Sequence, residues 1–204
     1  MRQELPTVSP CAASTDQVTD AELVERARAG DSDAFGALVD RYQAVVYRAA
    51  RAALRSPTEA DDVAQEAFVA AFRKLSEFRG EAGFRTWLLA IAWNAAKMHK
   101  RSAWRWLDRF TPAPGPAPPD PPDNELSQED ALVRRDLRER VQRAAMTLPR
   151  KYRDVLLLAA SGDHTVEEIA KILGIPAGTV KWRMSKGREQ LKVKLTRLGI
   201  RDEQ

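Results

Sequence analysis

Between Thr179 and Arg188 a hydroxyl, an indole and four cations stand close together: Thr179, Lys181, Trp182, Arg183, Lys186 and Arg188. Arginine and lysine can bond O6 and N7 of guanine, and a threonine or an aromatic edge can contact the thymine methyl. That chemistry needs a helix whose amino end is pushed toward the bases of a duplex. A second set, Phe78, Phe84, Trp87 and Trp93 interleaved with Arg79, Arg85, Asn94, Lys97 and Arg101, mixes rings with cations. Single-stranded DNA suits it, since bases stack on rings while the backbone follows positive charge. Within that set the loop "FRGEAGF" carries Gly80 and Gly83, which let the backbone approach a ligand closely, as a pocket for an extruded base requires. The plainer readings are a solvated basic helix for the first set and core positions for Trp87, Leu88 and Ile91 in the second.

The elements that must position the first set can be read locally. Thr165 followed three residues later by Glu168 is a capping box, and Val166, Ile169, Ala170 and Leu173 fall at i, i+3, i+4 and i+7. Gly174 supplies a left-handed turn position, and Pro176 fixes φ at the entry to the next helix. Two amphipathic helices around such a turn are the helix-turn-helix pattern. If Ala177 to Leu195 is a helix, Val180, Met184 and Leu191 turn inward and Gly187 allows close packing. The alternative is an ordinary αα-hairpin; the coincidence of cap, turn and cationic outer face favours the DNA reader. Trp182 either stacks on sugar or a thymine methyl, or folds back to cover the hairpin, and the covering role is preferred.

The second set needs its own frame. "DAFGALVDRYQAVVYRAARAAL" puts Phe35, Leu38, Tyr42, Val45 and Val46 on one stripe, and after the start signals Ser56 and Pro57 a second helix places Val63, Ala67, Phe68, Ala71, Phe72 and Leu75 on one face. A third helix runs from about Phe84 through Arg101. Together they predict a compact three- or four-helix bundle. The segment 111–125, "TPAPGPAPPDPPDNE", holds most of the twelve prolines and reads as a semi-rigid linker with a reach of ~40 Å. The predicted fold is therefore all-α, with two small helical domains at 20–110 and 126–200 and a disordered tail at 1–19.

The totals exclude several classes. Of 204 residues, 44% are hydrophobic and 30% charged, and the apolar run "WLLAIAW" is far too short to span a bilayer. The amino end lacks a secretory h-region and Cys11 is the lone cysteine, so a cytoplasmic protein is expected. Net charge is only +4, yet acids weight the first third and cations cluster at 97–109 and 181–201, a distribution suited to a polyanion touched twice. An enzyme is a poor reading: His99 and His164 lie far apart, and neither a metal-ligand cluster nor a P-loop is present, so no catalytic residue, metal, cofactor or small-molecule substrate is expected.

At this point a resemblance adds to the reading. "DDVAQEAFVAAFRKLSEFRGEAGFRTWLLAIAWNAAKMHKR" resembles region two of bacterial RNA polymerase sigma factors of the extracytoplasmic-function (ECF) type, and "LPRKYRDVLLLAASGDHTVEEIAKILGIPAGTVKWRMSKGREQL" resembles their region four. The resemblance implies that Asp61, Asp62, Gln65 and Glu66 dock on a coiled coil of the polymerase β′ subunit, opposite the Phe68 and Phe72 stripe. It implies that Phe78, Arg79, Gly80, Phe84, Asn94, Lys97 and Arg101 melt and read the promoter −10 element, and that Thr179, Lys181, Trp182, Arg183, Lys186 and Arg188 read the −35 element. Family members commonly carry a small or basic residue where Trp93 stands, and a small polar one where Trp182 stands. The linker resembles the connector that threads polymerase near the RNA exit path, where Asp120, Asp123 and Glu125 could mimic RNA phosphates. Its reach, with two domains of ~13 Å radius, can bridge sites roughly 70 Å apart. The implied partners are core RNA polymerase through its β′ and β subunits, promoter DNA and an anti-sigma factor, which can hold such a protein at the inner membrane face. The competing reading is an autonomous helix-turn-helix regulator whose first domain senses a ligand or dimerises.

Overall fold

In the amino-terminal half, three helices begin at side chains that accept hydrogen bonds from the first turn. Thr19 and Glu22 form a reciprocal capping box on α1 (Asp20–Arg28). Asp31 accepts from the amides of Asp33 and Ala34 at 3.0 and 3.1 Å to open α2 (Ser32–Ala53). Ser56 opens α3 (Pro57–Arg73), with Pro57 in the first turn where its missing N–H costs nothing. A 3-10 turn (Leu75–Glu77) and the loop 78–83 lead into α4 (Phe84–Leu107).

The computed structural model describes residues 18–54, 56–107, 140–162 and 164–197, with side chains throughout except at 101–107. Among these residues every regular element is helical, as the apolar spacing predicts. The Pro-rich linker, with Asp120, Asp123 and Glu125, lies outside the described residues, as do the tail at 1–17 and the start of the second domain at 126–139.

Leu23 and Val24 of α1, Leu38 and Val46 of α2, Ala67 and Ala71 of α3, and Phe84 and Leu88 of α4 form the first core. The α3 face that packs inward is almost all alanine: Ala60, Ala64, Ala67 and Ala71, with Val63. Small side chains let α3 and α4 approach closely, and these two helices make the most extensive contact in the bundle.

The second unit contains a helical stretch at 140–146, then α5 (Arg150–Ala160), α6 (Val166–Leu173) and α7 (Ala177–Arg197). Gly187 lies buried where α7 crosses α5: a Cβ there would stand 3.0 Å from Leu156 Cδ1 and 3.3 Å from Tyr152 Cβ, so a larger residue would force these neighbours to shift. Both halves of the capping box on α6 are present, the Glu168 amide donating to Thr165 Oγ1 at 3.1 Å and the Thr165 amide to Glu168 Oε2 at 2.8 Å. Thr165→Ala is expected to destabilise the fold by about 1 kcal/mol, read as a Tm lower by about 2–4 °C in a thermal melt.

The two units are packed together. Ala49, Leu89 and Trp93 from the first share one apolar cluster with Val155, Leu158, Ile169 and Val180 from the second. Helix α6 lies on α4 and α5 lies on α2. Polar contacts border the seam: Arg85 Nη1 donates to Glu168 Oε1 at 2.8 Å, and Lys171 Nζ donates to the Glu81 carbonyl at 3.3 Å. Burial pushes the Glu168 carboxyl up, but the Thr165 amide and the Arg85 guanidinium outweigh it and hold it below the usual value. A depressed carboxylate stabilises the fold above its ordinary range, and that contribution is lost progressively as pH falls from the ordinary value through the lowered one.

Candidate nucleic-acid interface

The helix-turn-helix is built as its sequence suggests. Gly174 takes φ +65°, and the Ile175 amide reaches back to the Ala170 carbonyl at 3.0 Å, closing α6 with a left-handed cap. Pro176 then starts α7, its carbonyl accepting from the Val180 amide at 3.1 Å. Val180 is fully buried and Met184 packs on the same cluster, which fixes the rotation of α7 about its axis. The opposite face presents Lys181, Trp182, Lys186 and Arg188 exposed, with Thr179 and Arg183 half-buried beside them.

Trp182 takes the covering role, and part of its ring stays open to solvent. Its ring lies 5.8 Å from Tyr152, with Lys151 Nζ 6.0 Å above it, yet it remains 52% exposed. Lys186 is paired with Glu189 at 2.7 Å, and that hydrogen bond raises its pKa, so the ammonium is charged throughout the neutral range.

On α3, Asp61, Asp62, Gln65 and Glu66 are all exposed, facing away from the alanine stripe. The expectation for Phe72 needs correcting. It is 53% exposed rather than part of the buried face, and its ring meets Phe35 edge-on at 4.9 Å. The turn of α3 carries Phe72 away from the alanine stripe toward Gln65 and Val69, so its ring rests on Phe35 of α2 at the rim of the bundle. With Val69, 50% exposed, it extends the acidic face into an apolar end: residues 62, 65, 66, 69 and 72 share one side of the helix.

The loop at 78–83 is tied down from an unexpected quarter. Arg28 Nε donates to the Leu75 carbonyl at 3.1 Å and Nη2 to the Phe78 carbonyl, while the guanidinium lies 5.9 Å from the Phe78 ring centre. Arg79 and Gly80 project into solvent, Gly80 at φ +72°. Phe78 is half-buried, packed against Phe84 at 5.8 Å and Trp87 at 5.1 Å. Phe84 is the second correction: at 2% exposed it belongs to the core and supports Phe78 instead of facing a strand. Farther along α4, Asn94 is exposed and accepts from Lys97 Nζ at 3.3 Å. Arg101 continues the helix, its side chain lying outside the described residues. Trp93 is 1% exposed, in the seam between the units.

Among the described residues no group of three or more His, Cys, Asp or Glu side chains could hold a metal ion. No helix among them is long and apolar enough to cross a membrane. His164 sits half-buried between Ser161 and Arg85, at 3.4 and 3.3 Å, a structural position.

These two helical units with opposed polar faces are those of the sigma-70 class: residues 38–106 match the family model for sigma-70 region 2 and residues 138–191 the one for sigma-70 region 4. The ECF RNA polymerase sigma factor SigW of Bacillus subtilis is 35% identical over 186 residues, covering 84% of this chain and 94% of that one. The ECF RNA polymerase sigma-E factor of Escherichia coli K12 is 33% identical over 198 residues, covering 89% and 96%. The chain belongs to the ECF sigma factors of RNA polymerase, and its function is promoter-specific transcription initiation. Among solved structures it is similar to CnrH in complex with the cytosolic domain of CnrY, with TM-score 0.63 and 29% identity over 87% of this chain and 97% of that one. The fold is also that of RpoE from Bartonella quintana, TM-score 0.63 at 21% identity.

Proposed function

We propose that three separate faces of the chain divide the work of initiation. The α3 face of Asp61, Asp62, Gln65 and Glu66, continued by Val69 and Phe72, docks on the β′ coiled coil of core polymerase, acids meeting a basic partner helix and the apolar end packing beside them. The loop and α4, through Phe78, Arg79, Gly80, Asn94, Lys97 and Arg101, capture and hold the melted −10 strand. The outer face of α7, through Thr179, Lys181, Trp182, Arg183, Lys186 and Arg188, reads the −35 duplex. The observation that carries this division is the exposure of Asp61, Asp62, Gln65 and Glu66 on α3, of Arg79, Gly80 and Asn94 on the loop and α4, and of Lys181, Trp182, Lys186 and Arg188 on α7.

The chain itself catalyses no reaction in this reading and needs no metal or cofactor. Binding drives the melting: unstacking costs a few kcal/mol, recovered in the base pocket and at phosphates. The units act as domains at 20–110 and 126–200 with 111–125 as a spacer, in the cytoplasm. CnrH was solved in complex with the cytosolic domain of CnrY, which supports a dedicated protein partner here, in this reading an anti-sigma factor. The test is run-off transcription with core polymerase on a genomic library, beside duplex binding by the chain alone. Promoter-specific transcripts only with core polymerase, and weak duplex binding without it, are expected. Tight autonomous binding to duplex sites as a dimer, with no transcript, would overturn the division of roles.

A further inference from the structure

The stripe of α4 through Arg85, Leu89, Trp93 and Lys97 recurs every fourth residue, so all four lie on one side of the helix. Its first three residues face the second unit: Arg85 holds Glu168, and Leu89 and Trp93 enter the shared apolar cluster. Its last, Lys97, is bonded to Asn94 at the beginning of the cationic end of the helix. Trp93 therefore stands where the seam between the units runs into the strand-binding face. It is 1% exposed, yet among the described residues its indole N–H has no hydrogen-bond partner. Burying a donor unpaired is unfavourable, and a leucine or phenylalanine would fill an apolar seam without that cost. Lys171 meanwhile fastens α6 to the loop at the Glu81 carbonyl. The outer face of α7 is left open: Lys181, Trp182 and Lys186 are exposed in the same packed arrangement.

We propose that Trp93 is a further contact for the −10 strand, masked by the second helical unit and released when the two units part. Its ring offers a face on which any unpaired base can stack, and its N–H a donor for a base or phosphate oxygen. Strand and seam compete for one residue, so the apparent affinity of the packed chain for single strands is reduced by the fraction of chain that is open. The −35 face requires no such opening, which allows duplex contact before strand capture. The proposal rests on reading α4 as the −10 helix.

The test uses the full chain with Cys11→Ser, and dyes on Gln43→Cys and Ser185→Cys, both exposed positions on the two units. The ligand is an A/T-rich single-stranded deoxyoligonucleotide of about 12 nucleotides, within the range that single-strand sites occupy. In the otherwise wild-type chain, saturating strand is expected to lower energy transfer; strand bound with transfer unchanged overturns the masking. Glu168→Gln retains a capping-box side chain while removing the charge facing Arg85, and Ala52→Arg wedges the seam from α2. Both are expected to lower transfer and tighten strand binding by about 5- to 30-fold. Trp93→Leu keeps the seam apolar and removes the ring, and is expected to weaken strand binding by about 5- to 150-fold, the range of one base–aromatic stack. If Trp93 only glues the units, this variant opens the chain and binding rises or stays level, and the proposal fails. A wild-type chain that initiates transcription with core polymerase but binds no single strand would instead overturn the reading of α4.

Discussion

Asp62→Arg is expected to leave the thermal melt unchanged while weakening binding to core RNA polymerase by about 30-fold or more. The fold is insensitive because Asp62 is exposed and its neighbours Ala60, Val63 and Ala64 already carry the packing of α3. Binding is sensitive because the residue lies on the side shared with Gln65, Glu66, Val69 and Phe72, so reversal puts like charges together inside a desolvated interface. Asp61→Arg, one position round the helix at the flank of that face, should cost several-fold less. The measurement is competition by unlabelled variants for core polymerase carrying a fluorescent wild-type chain, with run-off transcription beside it. Equal binding by wild type and Asp62→Arg would move the docking surface off α3. Phe72→Ala provides a second reading of the same face. It removes a half-exposed ring from the rim, so a loss of binding without a loss of Tm assigns that ring to the partner and not to the core.

The hairpin of α6 and α7 was legible because every signal that makes it is local. The Thr165 and Glu168 cap, the apolar repeat, Gly174 and Pro176 all act within a few residues, and each is where the sequence placed it. The faces of α3 and α4 were legible only in outline. The sequence joins Phe68 and Phe72 to the inner residues as one stripe, but Phe72 falls nearer Gln65 and Val69 on the helix, and how close to the centre of a contact a residue lies depends on the partner. Here the partner is an α4 packed tightly on alanines. Phe78 and Phe84 flank one loop and look equivalent in sequence; the direction of the chain entering α4 buries Phe84 and leaves Phe78 half-buried against it. Arg28 carries no recognisable motif, and its bond to the Phe78 carbonyl joins residues fifty apart, beyond any local pattern. The seam at Trp93 is less legible still. It unites helices separated by a Pro-rich segment whose composition suggests only that they can move apart.

Lys186→Glu is expected to abolish −35-dependent transcription while leaving core binding and single-strand affinity as in wild type. Helix α7 holds its angle through Val180, Met184 and Gly187 on the far side, so a change at Lys186 leaves the packing undisturbed. In the free chain the ammonium is held by Glu189, an exposed pair that contributes little and is readily exchanged for DNA. Reversal does more than remove one cationic contact, for it sets two adjacent carboxylates against phosphates or guanine acceptors. Duplex affinity of the assembled holoenzyme should fall about 10- to 100-fold, and a neutral Lys186→Gln should reduce the slope of log affinity against log salt by about one. Base and phosphate contacts separate in the same experiment. A phosphate contact weakens all −35 sequences alike, whereas a base contact relaxes selection at one position. Trp182→Ala is the informative companion. Its exposed edge has no charge, so a thymine-specific loss with an unchanged salt slope assigns it to the thymine methyl, and a loss of Tm alone leaves it as cover for Tyr152.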